Sequence, residues 1–309
     1  MNLYELNTTS SFNESYLCLT IGNFDGIHKG HQILINRLLE ESKDLKLKTA
    51  VLSFTPHPKK YFGYTSENFN IITQEEKLNF LKKMGLDIFI DFKFNENLAN
   101  LNAEDFIKDI IIKKLNVKKI IVGSDFRFGK NRLGNINTLK KLSKILNFQL
   151  IEINILNLNN TKEKFSSSYV RKTITEGNFK RVSQMLGRNW TLSGKIIKGD
   201  QKARKINFPT ANIKPLKKIF PKMGVYIVNA IFDKKKYKGI ANFGYRPTVD
   251  GSTLLLETHI FNFNKDIYGK ELTIEFLEFI RSEKKFNSFD ELTKQIIKDI
   301  SVARKYHKI

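Results

Sequence analysis

Hydrophobic and polar positions follow two different rhythms along the chain. In the first half, short apolar and β-branched runs at YLCLTIG (16–22), LKTAVLSF (47–54), DIFIDF (87–92), VKKIIVG (117–123) and NFQLIEINIL (147–156) predict strands. Between them, near 29–43, 74–84, 103–115 and 135–146, apolar residues recur three and four positions apart, which places them on one face of a helix. Strands alternating with helices predict a parallel sheet covered on both faces. Such sheets bind ligands in the loops beyond the carboxyl ends of their strands.

After Gly187 the rhythm changes. Runs near 190–198, 224–232, 237–243, 253–262 and 271–280 are strand-like and succeed one another without helices, with turn signals at Asp233-Lys234 and Asp250-Gly251. A helical segment from about Ser288 to Arg304 closes the chain. The pattern predicts an antiparallel sheet or small barrel, with the boundary near residues 186–190.

Composition narrows the class. A length of 309 residues suits two domains at roughly 150 residues each. A hydrophobic share of 41% is enough for two cores and excludes wholesale disorder. No run approaches the roughly 18 apolar residues of a membrane span, and MNLYELNTTSSFNESY lacks the basic-then-apolar pattern of a signal peptide. Cys18 stands alone, so neither an internal disulfide nor a cysteine-rich zinc cluster is available. The expectation is a soluble, cytoplasmic protein. The net charge of +22 leaves two readings open. One is a lysine-rich coding bias that also attracts anionic substrates; the other is a nucleic-acid footprint, which requires Lys and Arg gathered on one face. The lysines are spread through the chain, from Lys43 and Lys82 to Lys234 and Lys294.

The strongest local signal is LTIGNFDGIHKGHQILINRLLEE, a strand entering a helix through a glycine turn. Gly22 and Gly26 permit a tight turn and close approach to an anion. His28 and His31, three apart at the helix start, place two imidazoles beside free N–H groups and the positive end of the helix dipole, a ready phosphate site. Ser167, Ser168 and Arg171 precede or open a later helix and suit a second anion clamp. Asp125 follows a strand, where a carboxylate suits ribose hydroxyls or a metal. Phe62, Phe126 and Phe128 offer flat faces to a heterocycle, or simply fill the core. His57, between Pro56 and Pro58, is held in an extended segment suited to substrate positioning. In the second half, Thr210 and Asn212 are two apart in a strand and face the same way, and paired oxygens suit Mg2+.

These motifs carry a resemblance. GNFDGIHKGH (22–31), SFTPHPKKYF (53–62), VGSDFRFGKNRLGN (122–135) and SSSYVRKTITEGNFKRVSQMLGR (166–188) occur in the order seen in the bacterial bifunctional riboflavin kinase/FAD synthetase family. So do GKIIKGDQKARKINFPTANI (194–213), GIANFGYRPTVDG (239–251), LLLETHIFNF (254–263) and IYGKELTIEFLEFIRSEKKF (267–286). The HxGH element alone belongs to a wider nucleotidylyltransferase superfamily; the later segments narrow it.

The resemblance implies an α/β fold followed by a β-barrel. Residues 1–186 would form a Rossmann-like FMN adenylyltransferase domain. Residues 187–309 would form a riboflavin kinase domain, a six-stranded antiparallel barrel with a C-terminal helix. It further implies that riboflavin and ATP give FMN and ADP in the second domain, and that FMN and ATP give FAD and diphosphate in the first, both with Mg2+. Gly22, Phe24, Asp25, Gly26, Asp125, Ser167, Ser168 and Arg171 would hold the adenylyl-transfer ATP, with His28 and His31 as the catalytic pair. Lys195, Gly199 and Arg204 would lie at the kinase ATP loop, Thr210 and Asn212 at the metal, and Glu257 would be the base. Phe62, Phe128 and Arg281 would meet the flavin. Partners would be riboflavin, FMN and ATP rather than membrane or nucleic acid, and the protein a monomer or weak homo-oligomer. The family usually has Thr at Ser168, where the hydroxyl survives, and Gly at Ala203 and Asn207, where Ala tolerates a left-handed backbone poorly.

Overall fold

The computed structural model describes residues 1–43, 46–154, 165–197, 208–248 and 251–309, in two compact units, Met1–Ser167 and Ser168–Ile309. In chain order the first unit contains β1 (Asn2–Leu6), β2 (Leu17–Ile21), α1 (Lys29–Glu41), β3 (Lys48–Thr55), α2 (Pro58–Tyr61), α3 (Gln74–Lys83) and β4 (Ile88–Lys93). It continues with α4 (Glu96–Asn100), α5 (Ala103–Asp105), β5 (Val117–Gly123), α6 (Ile136–Leu146) and β6 (Gln149–Ile153). From α5 the chain runs on through Phe106–Lys114 as a π-helix, which buries Phe106, Ile107, Ile110 and Ile111.

The six strands are parallel, in the order β1-β4-β3-β2-β5-β6. Every residue of β2 is buried, and LCLTI accordingly carries apolar side chains on both faces, with Thr20 its one polar residue. Burial pushes the Cys18 thiol up to about 12, so it is a packing group and not a nucleophile. The edge strand β1 escapes the hydrophobic pattern because only Leu6 of its five residues is buried. Leu19, Leu52, Ile90, Ile107, Ile120 and Leu139 share one core, so the periodic positions of strands and helices meet as the pattern predicts.

Helix α7 (Ser167–Thr175) begins at the last residue of the first unit, and α8 (Phe179–Leu186) belongs to the second. Phe179 of α8 packs on Trp190, Tyr226 and Phe276, with ring centroids 5.6, 5.5 and 4.9 Å away. Those three side chains are core residues of the barrel unit. The compact unit therefore starts ahead of the point where the hydrophobic rhythm changes: α8 is helical, but its apolar face is buried with the strands that follow.

Strands β7 (Thr191–Ile197), β8 (Ala211–Pro215), β9 (Gly224–Phe232), β10 (Lys235–Thr248), β11 (Gly251–Ile260) and β12 (Glu271–Arg281) close into an antiparallel barrel ordered β10-β11-β8-β7-β12-β9. Closure removes exposed sheet edges. Helix α9 (Phe289–His307) caps it, with Ile300 and Ala303 packed among Val225, Ile227, Ile240 and Phe261. Arg281 fixes α9 by donating from Nε and Nη2 to the buried Asp299 at 2.7–3.1 Å. At the far end Lys238 Nζ donates to the His307 carbonyl at 2.8 Å. Among the described residues no helix is long and apolar enough to cross a membrane.

Candidate active sites

In the first unit the chain leaves β2 at Ile21 and turns through Gly22–His28 into α1. The turn is tight: Phe24, Gly26 and Ile27 all take positive φ, at 49°, 86° and 39°. Gly26 is needed twice over, since a Cβ there would also come within 3.0 Å of the Ile71 side chain. Two apolar side chains, Phe24 and Ile27, are buried beneath the loop and anchor its strained backbone.

His28 is the N-cap of α1. Its Nδ1 accepts the His31 backbone N–H at 3.3 Å, so the neutral ring carries its proton on Nε2. The imidazoles of His28 and His31 stack with centroids 3.7 Å apart and planes 16° from parallel, and Phe24 lies 5.0 Å from His31. Two imidazoles stacked at the positive end of the α1 dipole form a compact set of donors for phosphate oxygens.

Asp25 is buried, and its carboxylate accepts from Ile71 N–H at 2.9 and 3.0 Å and from Ile72 N–H at 3.3 Å. These bonds hold the 71–72 segment against the loop. Ser167 donates its hydroxyl to the Asp25 carbonyl at 2.9 Å, which brings a residue far along the chain to the same loop. Ser168 and Arg171 follow on α7, in the second unit.

Sequence reasoning passed over Lys77, because a lysine on an amphipathic helix reads as a solvated residue. Its ammonium lies 3.5 Å from Ser53 Oγ; burial holds its pKa below the ordinary lysine value, against the pull of Asp25 and Asp91. Burial likewise pushes Asp91 up. Asn23 was also missed: its Oδ1 is buried and has no hydrogen-bond partner among the described residues.

The aromatic candidates divide. Phe62 is half exposed within a cluster of Tyr61, Tyr64 and Phe94, at 5.2, 6.1 and 5.9 Å. Phe128 is buried in the core and stacks on Phe126 at 5.3 Å. The rings of Phe94, Phe54, Phe106 and Phe128 succeed one another at 5.9, 6.4 and 6.1 Å, so Phe62 and Phe128 are joined through one aromatic chain. Asp125 is exposed in the turn after β5, and His57 caps α2 through Nδ1.

In the barrel, strand register does the assembling. Glu257 of β11 stands directly opposite Asn212 of β8 on one side and Asn242 of β10 on the other. Opposed residues of an antiparallel pair share a face, so the carboxylate lies between two amides. Among the described residues both amides are short of a partner: the Oδ1 atoms of Asn212 and Asn242 are buried without a hydrogen bond. Thr210 and Asn212 also line a cavity of about 570 Å³, with Ile196, Thr258, Phe263 and Tyr268 among its walls. Lys195 is exposed and alternates along β7 with Ile196, which lines that cavity. Arg281 is committed to Asp299. Gly199 and Arg204, like Ala203 and Asn207, lie outside the described residues.

Comparison with known proteins finds two successive matches along the chain. A family model described as FAD synthetase matches residues 11–169, and one described as riboflavin kinase matches residues 186–307. The bifunctional riboflavin kinase/FMN adenylyltransferase of Buchnera aphidicola from Schizaphis graminum is 39% identical over all of this chain and 97% of its own. Its Escherichia coli K12 counterpart is 35% identical over 93% and 92%. A crystal structure described as a macrolide-efflux protein from Streptococcus pneumoniae has the same fold, with a TM-score of 0.87 and 30% identity over 98% of both chains. Matched by two successive family models and along its whole length by a bifunctional relative, the chain belongs to the bifunctional riboflavin kinase/FMN adenylyltransferase family, adenylyl transfer first and kinase second.

Proposed function

We propose that the stacked histidine cap of the first unit and the Asn212–Glu257 pair of the barrel are the two reacting centres. The adenylyl-transfer module would span residues 1–186 and the kinase 187–309. Supporting this reading, the first centre stacks two imidazoles at a helix N-terminus, where the dipole favours an anion, and the second sets a carboxylate opposite an amide oxygen suited to a cation.

In adenylyl transfer, a phosphate oxygen of FMN attacks the α-phosphorus of ATP and diphosphate leaves. His28 and His31 bind the phosphates and steady the charge that builds in the transition state, with no covalent intermediate. The Gly22–Gly26 turn, with Phe24 and Asp25, shapes the loop around the anion; Asp125 serves the ribose, and Ser167, Ser168 and Arg171 form a second clamp. Phe62 presents the open aromatic face for the flavin, and Phe128 supports it from the core.

In the kinase, Glu257 accepts the proton of the ribityl hydroxyl as that oxygen attacks the γ-phosphorus and ADP leaves. Thr210 and Asn212 would hold Mg2+; the partnerless Asn212 Oδ1 fits such an ion, which when bound neutralises phosphate charge. Lys195, Gly199 and Arg204 attend the nucleotide. Arg281 serves the flavin site by fixing α9. The substrates are riboflavin, FMN and ATP rather than nucleic acid, and the protein works in the cytoplasm as a monomer or weak homo-oligomer.

Incubation with riboflavin, ATP and Mg2+ followed by chromatography of the flavins tests the division. His28→Ala should stop FAD formation while FMN accumulates. Glu257→Gln should slow FMN formation by about 100-fold or more while added FMN is still converted to FAD. Equal loss of both activities in either variant would refute the assignment.

A further inference from the structure

Among the described residues, Glu257 is gripped on one side. Arg246 of β10 donates from Nε at 2.7 Å and from Nη2 at 2.6 Å, both to Oε2 of Glu257. Its remaining nitrogen, Nη1, donates to Glu283 Oε1 at 2.9 Å and to its neighbour's carbonyl, Tyr245 O, at 2.8 Å. Asn242 Nδ2 adds a longer bond to Glu283 Oε1, at 3.4 Å. Glu283 is seated because Gly244 has no side chain: a Cβ there would overlap the Glu283 carboxylate. Residues from β10, β11 and the segment after β12 thus form a carboxylate–guanidinium–carboxylate row at the site.

We propose that Arg246 is a positioning residue for riboflavin phosphorylation, turning Glu257 so that Oε1 is the proton-accepting oxygen, and that Glu283 docks Arg246 and offsets its charge. This rests on the reading of Glu257 as the base. Two nitrogens of one planar guanidinium directed at Oε2 hold that oxygen from a fixed direction and leave Oε1 as the oxygen turned to the substrate, a directional hold that a single ammonium does not give. Burial works against the Arg246 charge, but the Glu257 and Glu283 carboxylates outweigh it and hold the guanidinium above its ordinary range. From the other packed strands, β8 and β10 present the neutral amides Asn212 and Asn242. His259, two residues along β11, is engaged with the Pro209 carbonyl at 2.9 Å.

Steady-state kinetics of FMN formation read the arrangement. Arg246→Met should lower kcat about tenfold or more with a smaller change in the KM for riboflavin. Glu283→Gln should lower kcat by less, because Arg246 keeps both of its bonds to Glu257 Oε2. Arg246→Lys keeps the charge and loses the fork, so kcat should stay low rather than recover. A melting curve checks that each variant is folded. Should Arg246→Met fail to fold, the rim variant Glu283→Gln and the conservative Arg246→Lys carry the test. If Glu257→Gln is inactive yet these variants superimpose on wild type, the positioning role is wrong and the base stands. If Glu257→Gln still turns over at the wild-type rate, the base reading falls and this inference with it.

Discussion

In the first unit one continuous stretch, Gly22 to His31, supplies the turn, the helix cap and both imidazoles. In the barrel the corresponding groups come from separate places in the chain: Asn212 on β8, Asn242 and Arg246 on β10, Glu257 on β11 and Glu283 beyond β12. The first kind of site is set mainly by local backbone geometry. The second exists only while strand register holds, because a one-residue slip turns every side chain of a strand to the other face. Each activity is therefore vulnerable at a different place. The kinase depends on whatever keeps the barrel in register, including residues far from Glu257, whereas adenylyl transfer depends on what supports one loop.

The largest expected effect breaks the barrel at its base. Phe179→Ala removes a ring packed on Trp190, Tyr226 and Phe276, and Phe276 lies on β12 in register with β9. Truncating a buried Phe costs about 3–5 kcal/mol. FMN formation should therefore be lost at a lower temperature than in the wild type, with FAD formation from added FMN outlasting it. Earlier loss of adenylyl transfer would mean that α8 supports the other unit.

A smaller effect tests the local site. The loop looks self-sufficient in sequence, but Asp25 ties it to Ile71 and Ile72. Asp25→Ala leaves those buried N–H groups without their acceptor, a cost of about 1–3 kcal/mol. FAD formation should fall while FMN formation persists, and the Ile71 and Ile72 amides should exchange faster with solvent. Unchanged exchange would show that the loop stands without this tie.

The same contrast explains what could be read from the sequence. Parallel strands buried on both faces announce themselves as apolar runs, and the periodic helices between them are equally plain, so β2 to β6 fall where hydrophobicity puts them. The weakly buried β1 gives no such signal. His28 and His31 are legible because three-residue spacing is already geometry on a helix. Arg246 and Glu283 are not: nothing in FGYRPT or FIRSEKKF shows that one guanidinium joins Glu257 to a residue after β12. That fact belongs to register and to the space left by Gly244. Arg281, plain in its motif, is claimed by Asp299 on α9, and a buried carboxylate eighteen residues away in sequence leaves no local mark.

The smallest effect is a matter of pH, and it should again separate the two regions. His259 on β11 and His307 at the end of α9 both have pKa values held below the ordinary histidine value, chiefly by burial. Backbone carbonyls pull the other way, Pro209 on His259 and Gly239 with Val228 on His307, without overcoming it. On unfolding, each ring regains its ordinary affinity for protons. As the pH falls through about 6.5 towards the folded-state values, the unfolded chain takes up more protons than the folded one, and stability drops. Below those values both states are charged and the loss levels off. The melting of the barrel unit should therefore move down on going from pH 7.5 to 5.5. A His259→Gln/His307→Gln chain should flatten that dependence, since glutamine does not titrate. If the double variant melts with the wild-type pH slope, acid sensitivity arises elsewhere, and these histidines are packing groups whose charging the barrel accommodates. If the slope flattens and kinase activity becomes acid-tolerant with it, the assembled site is limited by the two contacts that bind β11 to Pro209 and α9 to Gly239.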